Sequence, residues 1–344
     1  MFAMESIGRA FALGTTAVAL SLAITGSSGE ARGETKLRLT HSAPISHPNH
    51  IAAEKMVEAI KARSNGEIVI TIFPNNALGN SFETTDQVRR GIIDLTLVGS
   101  DNLDRFPEAK SIALIGAPFQ FDDYAHAHAT LDKAAMDFLR KQFAAVNMML
   151  ISNYEWGFRS VSNSARPINV PEDIKGLKLR VPPVAVNKNT VEAMGATAVA
   201  IAFPELYMAM STKTVDGQEN PVSTIWSAKF YEVQKHVAIT HHIYTMMMFA
   251  ANTRVWDRLT PAQQQIVSEE GWKAAAETRR ITMDQETSLI ADLQKAGVTI
   301  TMPDKAKFRA VMGPANAELR KVVGEADWNQ WQQFVEQGRK QKGS

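Results

Sequence analysis

Short stretches that read as β-strands alternate with helical stretches over most of this 344-residue chain. In the first third, residues 36–41, 67–74 and 92–99 have the alternating or continuous apolar pattern of strands, and residues 49–63 and 81–90 between them have apolar side chains at helical spacing. Strand–helix alternation with short connections is typical of a mostly parallel sheet covered by helices. The alternation returns in the second half of the chain, so the sequence predicts two α/β lobes.

Two long segments are predicted to connect these lobes. Residues 146–164 form a strand-like stretch that is too long for one compact strand, which has about 5–6 residues, so we expect it to cross between the lobes. Thr260 and Pro261 suit the N-cap and first turn of a helix, and apolar and small residues continue to about residue 296, which is long enough to run along both lobes. Several crossings predict a hinge and a cleft between the lobes. The predicted division is 34–156 plus 246–282 for lobe I, and 157–245 plus 283–340 for lobe II.

Residues 1–31 are predicted to be a cleavable secretory signal peptide. Arg9 precedes an apolar run at 10–24, and small and polar residues follow it up to Ala31. A transmembrane helix needs about 20 apolar residues, whereas this run is shorter and contains Gly, Ser and Thr. The mature protein is therefore expected in the periplasm.

The composition excludes several classes of function. Lys and Arg number 37 against 36 Asp and Glu, so the net charge of +1 predicts no nucleic-acid or anionic-membrane surface. Cysteine is absent, which excludes disulfides and thiolate chemistry. Phosphate-loop, dinucleotide, zinc-protease and nucleophile-elbow motifs are also missing from the sequence. His41, His47 and His50 lie close in sequence but lack a carboxylate at metal-ligand spacing. We therefore expect no catalytic residue, no cofactor and no metal.

Two polar side chains stand where predicted strands end. Arg180 closes an alternating stretch and is followed closely by Pro182, and Asn220 closes another and is followed by Pro221. Ligands of open α/β sheets bind beyond the carboxyl ends of strands. This pair of hydrogen-bond donors therefore predicts a site for a small organic anion.

Residues 175–182, 202–207, 215–221 and 230–235 resemble the matching segments of the extracytoplasmic, DctP-like solute-binding subunits of TRAP (tripartite ATP-independent periplasmic) transporters. The resemblance implies a two-lobed periplasmic-binding-protein fold, type II-like, that closes on a carboxylate. It also implies partners: a small-molecule carboxylate ligand, and the small and large integral-membrane TRAP subunits to which the ligand is delivered. We expect the protein to act as a monomer.

The resemblance also implies roles for individual residues. Arg180 would form a bidentate clamp on the ligand carboxylate, Asn220 would donate to the same group, and Phe203 would pack on the ligand body. Arg159 would be a second cationic contact, with a hinge salt bridge as its alternative role. Candidates from the first lobe and the crossing segment are His41, Ser42, Ser81, Val98, Asn102, Glu155 and Trp156, and Gln218 lies beside Asn220.

The candidate ligands follow from the groups expected around the carboxylate clamp. Many of the candidate side chains pair with hydroxyl groups, which favours a sugar acid such as a uronate or an aldonate. A C4-dicarboxylate, a keto acid and an ectoine-like zwitterion are alternatives for the same receptor. Two other functions are alternatives for the protein: a secreted hydrolase of unknown type, and a ligand-sensing partner of a membrane receptor.

Overall fold

A computed structural model describes residues 34–342, so the predicted signal peptide at 1–31 lies outside the described part of the chain. The described residues form a mixed α/β structure with nine strands in one sheet. The strands are β1 (Thr35–His41), β2 (Ile68–Phe73), β3 (Leu95–Gly99), β4 (Met148–Asn163), β5 (Lys178–Val181), β6 (Thr197–Ala200), β7 (Gly217–Asn220), β8 (His236–Asn252) and β9 (Thr299–Thr301).

Helices cover both faces of this sheet. The α-helices are α1 (Pro48–Arg63), α2 (Ser81–Arg89), α3 (Tyr124–Ala129), α4 (Met136–Ala145), α5 (Ala185–Ala193), α6 (Leu206–Ser211), α7 (Val222–Ser227), α8 (Thr253–Arg258), α9 (Pro261–Lys295), α10 (Lys305–Ala310), α11 (Gly313–Val323) and α12 (Glu325–Gln341). The predicted long helix is confirmed as α9. Its N-terminus has a capping box, in which the Thr260 hydroxyl accepts from the Gln263 amide at 3.2 Å and the Gln263 side chain accepts from the Thr260 amide at 3.0 Å.

The strand order shows how the chain builds two halves around a shared centre. Along the sheet the order is β2-β1-β3-β8-β4-β7-β5-β6, with β9 beside β8. The outer strands pair in parallel, β1 with β2 and β3 on one side and β5 with β6 and β7 on the other. The antiparallel pair β4–β8 lies between them, and these strands have 16 and 17 residues. The predicted crossing segment is thus confirmed as β4.

The β4–β8 pair is irregular at the centre of the molecule. Its register shifts between Glu155 and Gly157, and again between Arg159 and Val161. Gly157 has φ +115°, a conformation that glycine adopts without strain. Because side chains alternate along a strand, each shift changes the face on which the following residues lie. These shifts decide which β4 residues reach the cavity described below.

Separate apolar clusters lie on either side of this centre. In one cluster, α1 and the N-terminal half of α9 pack on β1 and β2 around Leu39. In another, α4 and α12 pack together around Trp331. Two further clusters surround β5 at Leu179 and α7 at Ile225. The predicted lobe boundaries remain a prediction, and α12, which was predicted for lobe II, packs against α3 near Thr130.

Candidate ligand-binding site

A cavity lies where the ends of β5 and β7 approach the turn after β3. The space that protein atoms leave empty there, including the mouth, is about 550 Å3. This is the carboxyl-end position that the sequence predicts for the ligand. The polar and charged side chains that line the cavity are Ser42, Asn80, Ser81, Asp101, Asn102, Arg159, Arg180, Asn220 and Thr245.

Arg180 is a buried cation without a protein counter-ion. It lies on β5 between β6 and β7 and is 2% exposed. Its Nε donates to the Ile201 carbonyl oxygen at 2.7 Å, and within residues 34–342 it forms no ion pair. Pro182 and Pro183 follow it and also line the cavity. Neither terminal guanidinium nitrogen has a hydrogen-bond partner among the described residues. A guanidinium can bind a carboxylate with two parallel hydrogen bonds.

The surroundings of Arg180 disfavour its charge when the cavity is empty. Burial and the like charge of Arg159 lower the pKa of Arg180 to about 9, although Glu219 and Asp101 act in the opposite direction. Arg180 is still protonated at neutral pH. A bound carboxylate stabilises the cation and would raise this pKa again.

Affinity for a carboxylate is therefore expected to fall as the pH rises above about 9. The empty protein loses the Arg180 proton in this range, whereas the complex retains it to higher pH, so binding must take up a proton. The dissociation constant should rise about tenfold per pH unit in that window, as measured by calorimetry from about pH 7 to about pH 10.5. Circular dichroism at each pH checks that the protein is folded. A constant affinity over the whole range would contradict the lowered pKa of Arg180.

Arg159 on β4 lines the same cavity but has a protein counter-ion. Its Nε and Nη2 face the two carboxylate oxygens of Glu219, with Nη2 2.7 Å from Oε1, and Nη2 also donates to the Glu219 carbonyl oxygen at 2.6 Å. Glu219 Oε2 further contacts His242 Nε2 at 3.3 Å. The salt bridge considered from the sequence is thus present, and ligand contact by Arg159 remains a prediction.

The charges of Arg159 and Glu219 balance each other. Burial alone would raise the pKa of Glu219, but the charge of Arg159 and hydrogen bonds from His242 and Arg159 lower it to about 2. Burial lowers the pKa of His242, with Glu219 opposing in part, so this imidazole is neutral at pH 7. Arg180 is therefore the cation in the described lining that has no salt-bridge partner.

Asn220 is held in place by its neighbour on β7. Its Nδ2 donates to Gln218 Oε1 at 2.5 Å, and Gln218 Nε2 donates to the Ser162 hydroxyl at 2.8 Å. Asn220 lines the cavity, whereas Gln218 is fully buried and lies outside the lining. Gln218 thus orients the amide that faces the ligand position.

Several of the other predicted contact residues lie around the same cavity. Phe203 lines it and packs on Phe230, with 6.0 Å between ring centroids. Trp156 lines it from β4, and its ring stacks on His47 at 4.5 Å. The polar first-lobe candidates in the lining are Ser42, Ser81 and Asn102.

Three further candidates are placed outside the lining. His41 Nε2 is 3.2 Å from His50 Nδ1, and Val98 is buried in the core. Glu155 is fully buried and contacts His128 Nε2 at 2.7 Å. The register shift beside Gly157 accounts for the position of Glu155. Because of this shift, the Glu155 side chain does not lie on the same face of β4 as Arg159, which lines the cavity.

Comparison with known proteins identifies the family to which this chain belongs. The profile of the bacterial extracellular solute-binding protein family 7, DctP, matches residues 39–321. The chain belongs to this family. The resemblance to TRAP solute-binding subunits stated from the sequence is confirmed.

Individual relatives agree with the family assignment. The chain is 33% identical to the 2,3-diketo-L-gulonate-binding periplasmic protein of Escherichia coli over 301 residues, 84% of this chain and 91% of the relative. A TRAP periplasmic solute-binding protein from Polaromonas, solved with D-erythronate, is 31% identical with a TM-score of 0.83, covering 88% of this chain and 98% of the other. A sugar acid-binding protein from Advenella mimigardefordensis, solved with galactonate, is 26% identical with a TM-score of 0.85, covering 90% and 99%. The two-lobed fold is therefore confirmed.

The structure adds lining residues of this family 7 protein that the sequence did not indicate. They are Asn80, Phe82, Gly99, Asp101, Thr245 and Met247. Asn80 had a recognisable signal only as the N-cap of α2, whose capping box it forms with Glu83. Thr245 and Met247 lie on β8, and the orientation of their side chains toward the cavity depends on the irregular register between β8 and β4. Asp101 precedes Asn102, a predicted contact, but its own place in the lining depends on the turn after β3.

The histidines and helices of the family 7 chain give three further findings. No group of three or more metal-binding side chains suited to a metal ion occurs in the described part of the chain. Burial lowers the pKa of His41 and of His47 to about 3, so both imidazoles are neutral at pH 7. No helix between residues 34 and 342 is both long and apolar enough to cross a membrane.

Proposed function

We propose that this protein captures a sugar-acid monoanion, an aldonate or a uronate, in the periplasm and delivers it to the small and large membrane subunits of a TRAP transporter. The observation that carries the proposal is Arg180, buried without a counter-ion in a cavity at the strand ends. The ligands of the relatives support it, since 2,3-diketo-L-gulonate, D-erythronate and galactonate are all sugar acids.

In this proposal each part of the cavity has a separate task. Arg180 binds the ligand carboxylate through two hydrogen bonds, and Asn220, oriented by Gln218, binds the same end. Phe203 packs on the carbon chain. Polar side chains on the β3 side, such as Ser81 and Asn102, pair with hydroxyl groups, each pair contributing about 0.5–1.5 kcal/mol. Closure of the lobes then removes water from these contacts.

A panel of organic acids tests the proposal. D-Erythronate, D-galactonate and D-glucuronate are expected to raise the melting temperature, because a ligand at 100 times its dissociation constant stabilises the folded protein by about 2.7 kcal/mol. Succinate, pyruvate and ectoine represent the other ligand classes. Calorimetry on the acids that shift the melt gives the affinities. If only succinate, pyruvate or ectoine shifts it, the sugar-acid proposal is wrong.

We further propose that the protein performs no chemistry and acts as a monomer. A bound acid should be recovered unchanged after long incubation, as shown by mass spectrometry, whereas a hydrolase would convert it. Deletion of the gene should abolish uptake of the labelled acid, whereas loss of a response with uptake intact would indicate a sensor. Light scattering on the purified protein measures the mass in solution.

A further inference from the structure

Asp101 places a carboxylate inside a cavity that attracts an anion. It lies in the turn directly after β3, is half-buried, and lines the cavity together with Arg180. In the sheet order β8, β4 and β7 separate β3 from β5. Asp101 and Arg180 therefore line the cavity from opposite halves of the sheet.

The Asp101 carboxylate is held by local structure. Its Oδ1 accepts from Asn102 Nδ2 at 2.7 Å, and the same Nδ2 donates to the Gly99 carbonyl oxygen at 3.3 Å. A Cβ at position 99 would overlap Asp101 Oδ1, so glycine provides the space in which this carboxylate lies. The position is thus built into the turn.

Asn102 donates a hydrogen bond to the Asp101 carboxylate, but the cations of the described lining do not pair with it. Among the described residues Asp101 forms no ion pair, Arg159 is paired with Glu219, and Arg180 is the cation left for the ligand carboxylate. Burial raises the pKa of the Asp101 carboxyl, opposed first by the charge of Arg159. A hydrogen-bond donor on a ligand favours the ionised carboxylate and offsets part of the cost of its burial.

We propose that Asp101 determines specificity: it accepts hydrogen bonds from the ligand's hydroxyl groups and excludes a second ligand carboxylate, so the site selects polyhydroxy monoacids over the matching diacids. This deepens the proposed function and depends on it. A hydroxyl group donates to a carboxylate, whereas a second ligand carboxylate has no proton to donate at neutral pH and no free cation in the described lining. Like charges placed together in a closed site weaken binding by several decades.

The test uses pairs of acids that differ at one carbon: D-galactonate with galactarate, D-erythronate with meso-tartrate, and D-gluconate with D-glucarate. Calorimetry at about pH 8 should show the wild type binding a monoacid at least about 100-fold more tightly than its diacid. Asp101→Asn keeps the shape and the Asn102 contact but removes the charge. It should reduce the preference for the monoacid to below about tenfold, because binding of the monoacid becomes weaker and binding of the diacid becomes tighter.

Asp137→Asn is the control. It removes the charge of an exposed carboxylate outside the cavity lining and should leave the preference unchanged. A wild type that binds diacid and monoacid equally, or an Asp101→Asn variant with the wild-type preference, overturns the role of Asp101 while the proposed function stands. Binding of ectoine or an amino acid that Asp101→Asn abolishes also overturns it, because Asp101 would then pair with an ammonium group. No binding by any of the monoacids defeats the proposed function itself.

Discussion

Arg180→Ala is expected to abolish measurable binding of the sugar acid. The other cation in the described lining, Arg159, is already paired with Glu219, so the ligand carboxylate would lose its counter-ion. A charge left unpaired in a closed site costs about 3–5 kcal/mol, which is about two to four decades of affinity. Calorimetry with the acid identified by the panel measures the loss. Near-native affinity in this variant would remove the basis of the proposed function.

Two further variants separate the clamp from general effects of charge and folding. Arg180→Lys retains a cation but loses the planar pair of donors, and should weaken binding by about 10- to 100-fold. Arg254→Ala removes an exposed arginine and should bind normally. The empty Arg180→Ala protein should melt within about 3 °C of the wild type, because it gives up a cation that burial disfavours. A large drop in melting temperature would instead assign Arg180 a structural role.

The positions of Arg180 and Asn220 could be predicted because local patterns determine them. Asn220 is the last residue of β7 and Arg180 the last but one of β5, and a proline follows each strand directly. The carboxyl edge of an α/β sheet is where ligands bind. The long helix and the crossing strand were likewise visible as uninterrupted periodic stretches. These features depend on neighbours within a few residues, which the sequence displays directly.

Other parts of the site depend on contacts between distant segments. The pairing of Arg159 with Glu219 joins residues 60 positions apart, and it requires the adjacent strands β4 and β7. The Glu155 side chain lies away from the cavity because the register between β4 and β8 is irregular beside Gly157. Periodicity alone predicts neither the Arg159–Glu219 pair nor the orientation of Glu155. One shift in register moves all the following side chains of the strand to the opposite face. Asp101 is similar, since only the folded turn shows its carboxylate against Gly99.

Glu219→Gln is expected to destabilise the fold strongly. The change leaves the buried guanidinium of Arg159 without a counter-ion, close enough to Arg180 for the two cations to repel. Breaking one side of a buried pair costs about 3–5 kcal/mol, so the melting temperature should fall by about 10 °C. Scanning calorimetry of the empty protein measures it. Glu286→Gln, which alters a less buried carboxylate paired with His241, should cost clearly less.

The pH dependence tests whether the lost stability comes from this charge. The folded-state pKa of Glu219 lies below its ordinary value of 4.5, so its stabilising contribution is complete above that pH and is lost as the pH falls toward about 2. Wild type and Glu219→Gln should therefore differ most in unfolding free energy near pH 7 and converge in acid. Arg159→Met combined with Glu219→Leu replaces both charges by apolar groups and should recover most of the stability. A double variant as unstable as Glu219→Gln, or a difference that persists at about pH 2, would mean that packing, and not the ion pair, stabilises this part of the fold.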